Sequence, residues 1–512
     1  MVRSMFNVDR RTFIQTIAAG GALLAAGKPA FSAEMAHRAA SEATPDFKPD
    51  VEIELAAAPG ELPLLSGATT HVWQFKGKAV RGDPSSFQML PGSALPVIHV
   101  RNGQKLRIHF ANHLDEDSIV HWHGLHLPHR MDGHPMYAIR PGQRFVYEFR
   151  VDNRAGTYWF HPHPHGRTGE QVYRGLAGLF IVSDDEEKAA ALPSAEFDLA
   201  WVLQDRLFDR NNQLVYARNM MERMQGFLGD RVLINGQADF VQPVGTTAYR
   251  VRLLNGSNSR IYKLAWDDGR PLTVIGNDGG LLERPLQRPY VTLAPAERVE
   301  LWMDFSDRSV GDQITLRSLP FNAGMSMMGG SAMANGSAFP VLRVRVDRKL
   351  AKPRALPAKL SNISRYRLED AVNRISPRTF SPAMGMGQVS LNGRRFDKMD
   401  EVAENEIVKL NTLEVWELAN DASMMMMAHP IHVHNLQFQV VQRKADPRFA
   451  GAYETLGAGF IDEGWKDVVL VMPGERVKLL MKFTDYTGLY LYHCHILEHE
   501  DMGMMRNYLV QA

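Results

Sequence analysis

A chain of 512 residues is too long for one hydrophobic core and implies about three domains. Hydrophobic residues make up 45% and charged residues 22%, the balance of an ordinary soluble globular protein. A net charge of +1 gives no electrostatic basis for a nucleic-acid or anionic-membrane partner.

At the N-terminus, Arg10-Arg11-Thr12-Phe13-Ile14 leads into a modest apolar run, Ile17 to Ala26, followed by Lys28 and the small-residue string Pro29-Ala30-Phe31-Ser32-Ala33. This pattern predicts a twin-arginine export signal over residues 1–33, cut near Ser32 or Ala33, and a periplasmic destination. The run is too short to span a bilayer, and no later stretch is long and apolar enough, so no membrane insertion is expected.

Beyond the leader the chain repeats itself three times. Pro141-Gly142-Gln143-Arg144-Phe145-Val146-Tyr147-Glu148-Phe149 matches Pro295-Ala296-Glu297-Arg298-Val299-Glu300-Leu301 and Pro473-Gly474-Glu475-Arg476-Val477-Lys478-Leu479. A Pro-led turn followed by alternating apolar and polar residues predicts a half-buried strand. An earlier strand recurs as well: Gln104 to Asn112, Tyr249 to Asn255 and Leu413 to Asn420. Short strands between Gly, Pro, Asn and Asp turns, with few helical stretches, read as β-sandwiches or barrels. Boundaries near residues 187 and 355, the second in the proline-bearing stretch Lys352 to Ala358, divide the chain into 45–187, 188–355 and 356–512.

Histidines are shared unevenly among the copies. Gly156 to His163 in the first mirrors Gly488 to His495 in the third, whereas Gly311-Asp312-Gln313-Ile314-Thr315 in the middle has none, so that copy is expected to be a spacer. In a strand, alternate side chains share a face, so His-x-His aims two imidazoles at one target. Four such pairs are arranged two and two in the first and third copies: His121/His123, His161/His163, His432/His434 and His493/His495. Their eight imidazoles are enough for three metals. Left over are His429, His499, Met504 and Cys494, the only cysteine and therefore without a disulfide partner in the chain. Thiolate, imidazole and a weak axial thioether are the ligands of a blue-copper electron-transfer centre.

From about residue 45 to the C-terminus the chain resembles the multicopper oxidases, through His121-Trp122-His123-Gly124, His161-Pro162-His163, His429-Pro430-Ile431-His432-Val433-His434 and the run from His493 to Met504. The resemblance implies an all-β fold of three consecutive cupredoxin-like Greek-key barrel or sandwich domains. It also implies four coppers per chain: a type 1 copper in the third domain and a trinuclear cluster between the first and third. Carried across motif by motif, His429, Cys494 and His499 bind type 1 copper, with Met504 axial. His121 and His432 would hold the type 2 copper. His123, His161 and His495 would hold one type 3 copper, and His163, His434 and His493 the other. Electrons would pass from the type 1 site through Cys494 to His493 or His495, and O2 would become water. Asp132 and Glu500 stand where copper efflux oxidases carry acids serving the cluster, and water formation consumes protons.

The implied reductant is a small molecule, either phenols and aromatic amines, as in laccases, or Cu(I), with a monomeric protein expected. Methionines cluster at Met220, Met221 and Met224, at Met325, Met327, Met328 and Met333, at Met384 and Met386, and from Met424 to Met427; thioethers select Cu(I). The stretch His161 to Leu179 most resembles the bacterial copper efflux oxidases, an alternative in which a periplasmic cuprous oxidase confers copper tolerance with little phenol activity. Yet residues 362–390 are short, and Met425 stands where those oxidases carry an Asp, so the His429/His499 edge is expected to be open to bulky phenols. A plain electron-transfer cupredoxin leaves the four histidine pairs unexplained, and a nitrite reductase usually has two domains. A copper-free relative involved in cell division should have lost ligands, and none is missing.

Overall fold

In each repeat the two recurring strands are hydrogen-bonded neighbours. Lys105–Asn112 pairs antiparallel with Arg144–Arg150, Ala248–Asn255 with Arg298–Asp304, and Leu413–Ala419 with Glu475–Lys482. A third strand lies parallel to the first of each pair: Val51–Leu62, Asp198–Arg206 and Arg378–Phe380. Parallel neighbours cannot be joined by a tight hairpin. Between Val51–Leu62 and Lys105–Asn112 the chain therefore crosses through Pro96–Arg101 of the facing sheet and returns, the Greek-key route. A computed structural model describes residues 42–322, 333–350, 354–385, 387–421 and 426–512. The expected export leader lies outside the described residues, as do Met325, Met327, Met328, Met386, Met424 and Met425.

Each repeat closes a hydrophobic core between two sheets. Four- and five-stranded sheets face each other in the first, seven- and five-stranded sheets in the second, and four- and five-stranded sheets, with a small extra hairpin, in the third. The cores are led by fully buried aromatics such as Trp122, Tyr249 and Trp416. Losing one such side chain to alanine costs about 3–5 kcal/mol. Helices are short, the longest described spanning seven residues, Ala450–Leu456. No helix among the described residues is long and apolar enough to cross a membrane.

The alternation expected of the recurring strands holds in the first repeat, where Lys105–Asn112 alternates in burial, but fails in the middle one, where all of Ala248–Asn255 is buried. The face that would meet water is pressed against the first repeat. Arg250 pairs with Glu300 at 2.5 Å and Arg252 with Asp198 at 2.8 Å, while the Thr157 hydroxyl donates to Glu300 at 2.7 Å. Such charges survive burial only because they are paired and hydrogen-bonded.

Candidate metal centres

Strand pairing assembles the imidazoles two repeats at a time. In the first repeat, Val120–His123 runs antiparallel to Gly156–Pro162 with His121 opposite His161, and the His163 N–H is fixed by the Ile119 carbonyl at 2.9 Å. In the third, His429–Val433 runs antiparallel to Gly488–Cys494 with His432 opposite His493. The two assemblies then face each other: the His121 ring stacks on His434 with centroids 3.8 Å apart, and His123 on His432 at 3.7 Å. All eight imidazoles are at most 1% exposed. Donor atoms of His121, His123 and His161, of His121, His432 and His434, and of His163, His434 and His493 each lie within 4.8 Å of one another. His495 reaches the same cavity, its ring 5.1 Å from His123 and 5.3 Å from His161.

The proton positions in this cavity call for a cation. His121 donates Nδ1–H to the Asp132 carbonyl at 2.6 Å, and His432 donates Nδ1–H to the Asp467 carbonyl at 2.7 Å. Both Nε2 atoms are therefore lone pairs when the rings are neutral, yet they face each other at 3.4 Å. His434 and His493 repeat the arrangement, with Nδ1 turned to Asp132 Oδ2 and the Cys494 carbonyl and the Nε2 atoms 3.1 Å apart. His161 Nε2, His163 Nδ1 and both nitrogens of His495 are buried without any partner. Each such orphan costs about 1–3 kcal/mol. Burial drives His121, His123, His163, His432, His434 and His495 toward the neutral form, and His161 down to about 4. Neutral imidazole is also the form that ligates copper, so the cavity fits the metal its sequence implies.

Cys494 is fully buried, with the Nδ1 atoms of His429 at 3.5 Å and of His499 at 3.7 Å from its Sγ. His499 donates its Nε2–H to the Met224 carbonyl at 3.0 Å, which leaves Nδ1 as the lone pair turned to sulfur. The Ile496 N–H donates to Sγ at 3.4 Å. Met504 is fully buried; its carbonyl accepts from the Cys494 N–H at 3.1 Å and its N–H donates to the His499 carbonyl at 2.8 Å. Burial pushes the Cys494 thiol well above its ordinary range, so only a bound cation makes it a thiolate.

Both expected acids are buried at the cluster. Asp132 Oδ2 lies 2.8 Å from His434 Nδ1, and burial raises its carboxyl well above the usual range. Glu500 lies between His163 at 3.5 Å and His493 at 3.2 Å. Burial pushes its carboxyl up, but those two imidazoles outweigh it and hold Glu500 at about 2.

Several contributors carry no motif signal. The helix Leu497–Asp501 is clamped through the Glu498 carboxylate, which accepts from the Tyr216 hydroxyl at 2.8 Å, the Asn258 amide at 2.9 Å, the Phe227 N–H at 3.1 Å and the Ser259 hydroxyl. All four donors, and the Met224 carbonyl on His499, come from the middle repeat expected to be a spacer. Asp467 touches His123 and His432 and was equally invisible as a single Asp in Lys466-Asp467-Val468. Among the described residues the His429/His499 edge expected to be open to bulky phenols is covered: His499 is fully buried against the Met224 carbonyl, and His429 is 1% exposed.

A strand-built chain with one buried cysteine and two histidines grouped beside an eight-imidazole cavity defines a copper-binding oxidoreductase. Multicopper oxidase profiles match residues 85–187 and 369–512. The multicopper oxidase mco of Staphylococcus aureus is 31% identical over 416 residues, 80% of this chain and 80% of that protein. The laccase of Bacillus subtilis (strain 168) is 31% identical over 420 residues, 76% of this chain and 79% of its own length. The crystal structure of McoA multicopper oxidase from the hyperthermophile Aquifex aeolicus superposes with a TM-score of 0.78 at 34% identity, covering 91% of this chain and 97% of that one. The chain belongs to the multicopper oxidase family. It is a cupredoxin-like, copper-dependent oxidase that couples oxidation of a reductant to reduction of O2.

Proposed function

We propose that the chain holds four coppers: a type 1 ion that His429, Cys494, His499 and Met504 would hold, a type 2 ion at His121 and His432, and a type 3 pair. His123, His161 and His495 would hold one member of that pair, and His163, His434 and His493 the other. The observation that carries this reading is the set of buried, mutually facing imidazole lone pairs around one cavity. Bound there, copper supplies one-electron oxidation of the reductant and the four-electron reduction of O2 to water. The protein's own part is covalent continuity, proton supply and exclusion of water. Peptide bonds join Cys494 to His493 and His495, the shortest covalent connection between the two centres. Asp132, whose carboxyl burial pushes toward the protonated form, is placed to release a proton, and the Glu500 carboxylate lies beside His163 and His493. Copper per chain, with a blue thiolate charge-transfer band that Cys494→Ser removes, tests the assignment; a colourless protein at full copper loading refutes it.

Electrons enter at the His499 edge, which lies under the helix Met220–Gln225. Met220 and Met221 on that helix are 56% and 48% exposed, which supports Cu(I) as the physiological reductant. Similarity to laccases supports phenols and aromatic amines as further reductants. Steady-state rates with Cu(I), a dimethoxyphenol and an aromatic amine separate the two readings. The twin-arginine leader supports a periplasmic enzyme acting in copper tolerance as a monomer; cell fractionation and sedimentation test location and state.

A further inference from the structure

Arg298 stands at the same place in its repeat as Arg144 and Arg476, each following a Pro-led turn, yet those two are exposed and Arg298 is 1% exposed. All five of its N–H groups have acceptors. Nε donates to the Thr157 carbonyl at 3.0 Å, Nη1 to the Ala296 carbonyl at 2.9 Å and Asp467 Oδ1 at 2.7 Å, and Nη2 to the Asp278 carbonyl at 3.0 Å and Asp467 Oδ2 at 2.5 Å. The bidentate fork fixes the Asp467 carboxylate in one plane. That carboxylate in turn accepts from His123 Nε2–H at 3.0 Å, while the main-chain carbonyl of the same residue accepts from His432 Nδ1–H at 2.7 Å. With Nε2 committed, His123 is left with Nδ1, which is buried and has no partner.

A second feature points the same way. Gly124, which follows His123 in the His-x-His-Gly motif, has φ +85°, and a Cβ there would lie 2.5 Å from Asp467 Oδ2 and 2.9 Å from Arg298 Nη2. The motif's glycine thus makes room for the Arg298–Asp467 pair as well as permitting the turn.

We infer that Arg298, supplied by the ligand-free middle repeat, is a positioning residue for the cluster: through Asp467 it selects the His123 tautomer that presents Nδ1 to copper and orients the His432 main-chain acceptor. This rests on the assignment of His123 and His432 to the cluster. The middle repeat, having no imidazoles of its own, then contributes to metal binding through one inward-turned member of the repeated arginine. Outer partners of metal-bound imidazoles change affinity by about 10–100-fold when removed.

The test uses the copper-loaded enzyme and its Arg298→Gln, Arg298→Lys and Asp467→Asn variants. Each is titrated with a chelator while blue absorbance reports the Cys494 site, the type 2 electron paramagnetic resonance signal reports copper at His121 and His432, and total bound copper gives the remaining, resonance-silent pair. In Arg298→Gln and Asp467→Asn, cluster copper is expected to leave at roughly tenfold or more lower chelator concentration, with the blue band retained. Arg298→Lys, with charge but no fork, should fall between these and the parent. Loss of Cys494-site and cluster copper in parallel, or a cluster as chelator-resistant as the parent's even where the melting temperature falls, overturns the inference. Should Arg298→Gln not fold, the other two variants give the same reading. A parent protein without a blue band would instead strike the copper assignment itself.

Discussion

The imidazoles of His123 and His432, from opposite ends of the chain, lie nearly parallel with centroids 3.7 Å apart and an interplanar angle of 13°. Both are tied to Asp467, one to its carboxylate and the other to its carbonyl. A single residue of the third repeat therefore sets the orientation of ligands from two repeats, and the cavity between them is an interface as much as a site.

Removing copper should loosen that interface. An ion bound only by the folded chain stabilises it by about 4 kcal/mol when present at a thousandfold excess over Kd. Exhaustive chelation is expected to lower the melting temperature and to separate the transition of the outer repeats from that of the middle one. Calorimetry of loaded and stripped protein checks this; coincident transitions at an unchanged temperature would contradict it.

The stripped protein should be acid-sensitive in a defined window. Burial holds His161 and His499 at about 4, whereas unfolded histidine titrates near 6.5. Below 6.5 the unfolded chain binds more protons than the folded one, so stability is full above about 6.5 and is lost as pH falls toward about 4. The slope is about 1.4 kcal/mol per pH unit for each such group. Urea midpoints of copper-free protein between about pH 7.5 and about pH 3, a range that brackets both limits, measure it.

Asp132→Asn keeps a group able to accept from His434 but removes the exchangeable carboxyl proton. O2 consumption is expected to fall by about 10²-fold while anaerobic reduction of the blue centre keeps its rate. Stopped-flow reduction and reoxidation measured separately decide the matter, and equal slowing of both would argue for a structural effect. Glu500→Gln, which leaves His163 and His493 without their carboxylate, should slow the same half-reaction.

Replacing Met220 and Met221 with Leu removes two thioethers at similar volume from an exposed helix, so stability should change by less than about 0.5 kcal/mol. Cu(I) oxidation is expected to drop several-fold with dimethoxyphenol oxidation spared. Parallel loss of both activities would show that the helix matters for shape and not for its sulfur.

Much of this enzyme is written locally. The His-x-His pairs, the Cys494 run and the Pro-led strands are patterns of a few residues, and the alternation of a strand alone turns each imidazole pair toward one side. From these the family, the all-β repeats and the imidazoles of the two centres are legible. Burial of Ala248–Asn255 on both faces was not, because its outward arginines and their Glu300 partner are covered by Thr157 only when the first two repeats pack together. Nor was the clamp on Glu498, whose donors are scattered through another repeat.

The clearest division runs through one repeated arginine. Arg144, Arg298 and Arg476 follow the same turn, and nothing in the local pattern distinguishes them. Spacing along a strand determines which side chains share a face; which of those faces meets water is decided by what packs against it. At this position only the middle copy's arginine is covered by both other repeats, by Thr157 of the first and Asp467 of the third, so only it is desolvated, and a desolvated guanidinium must find acceptors, which here include the carboxylate holding His123.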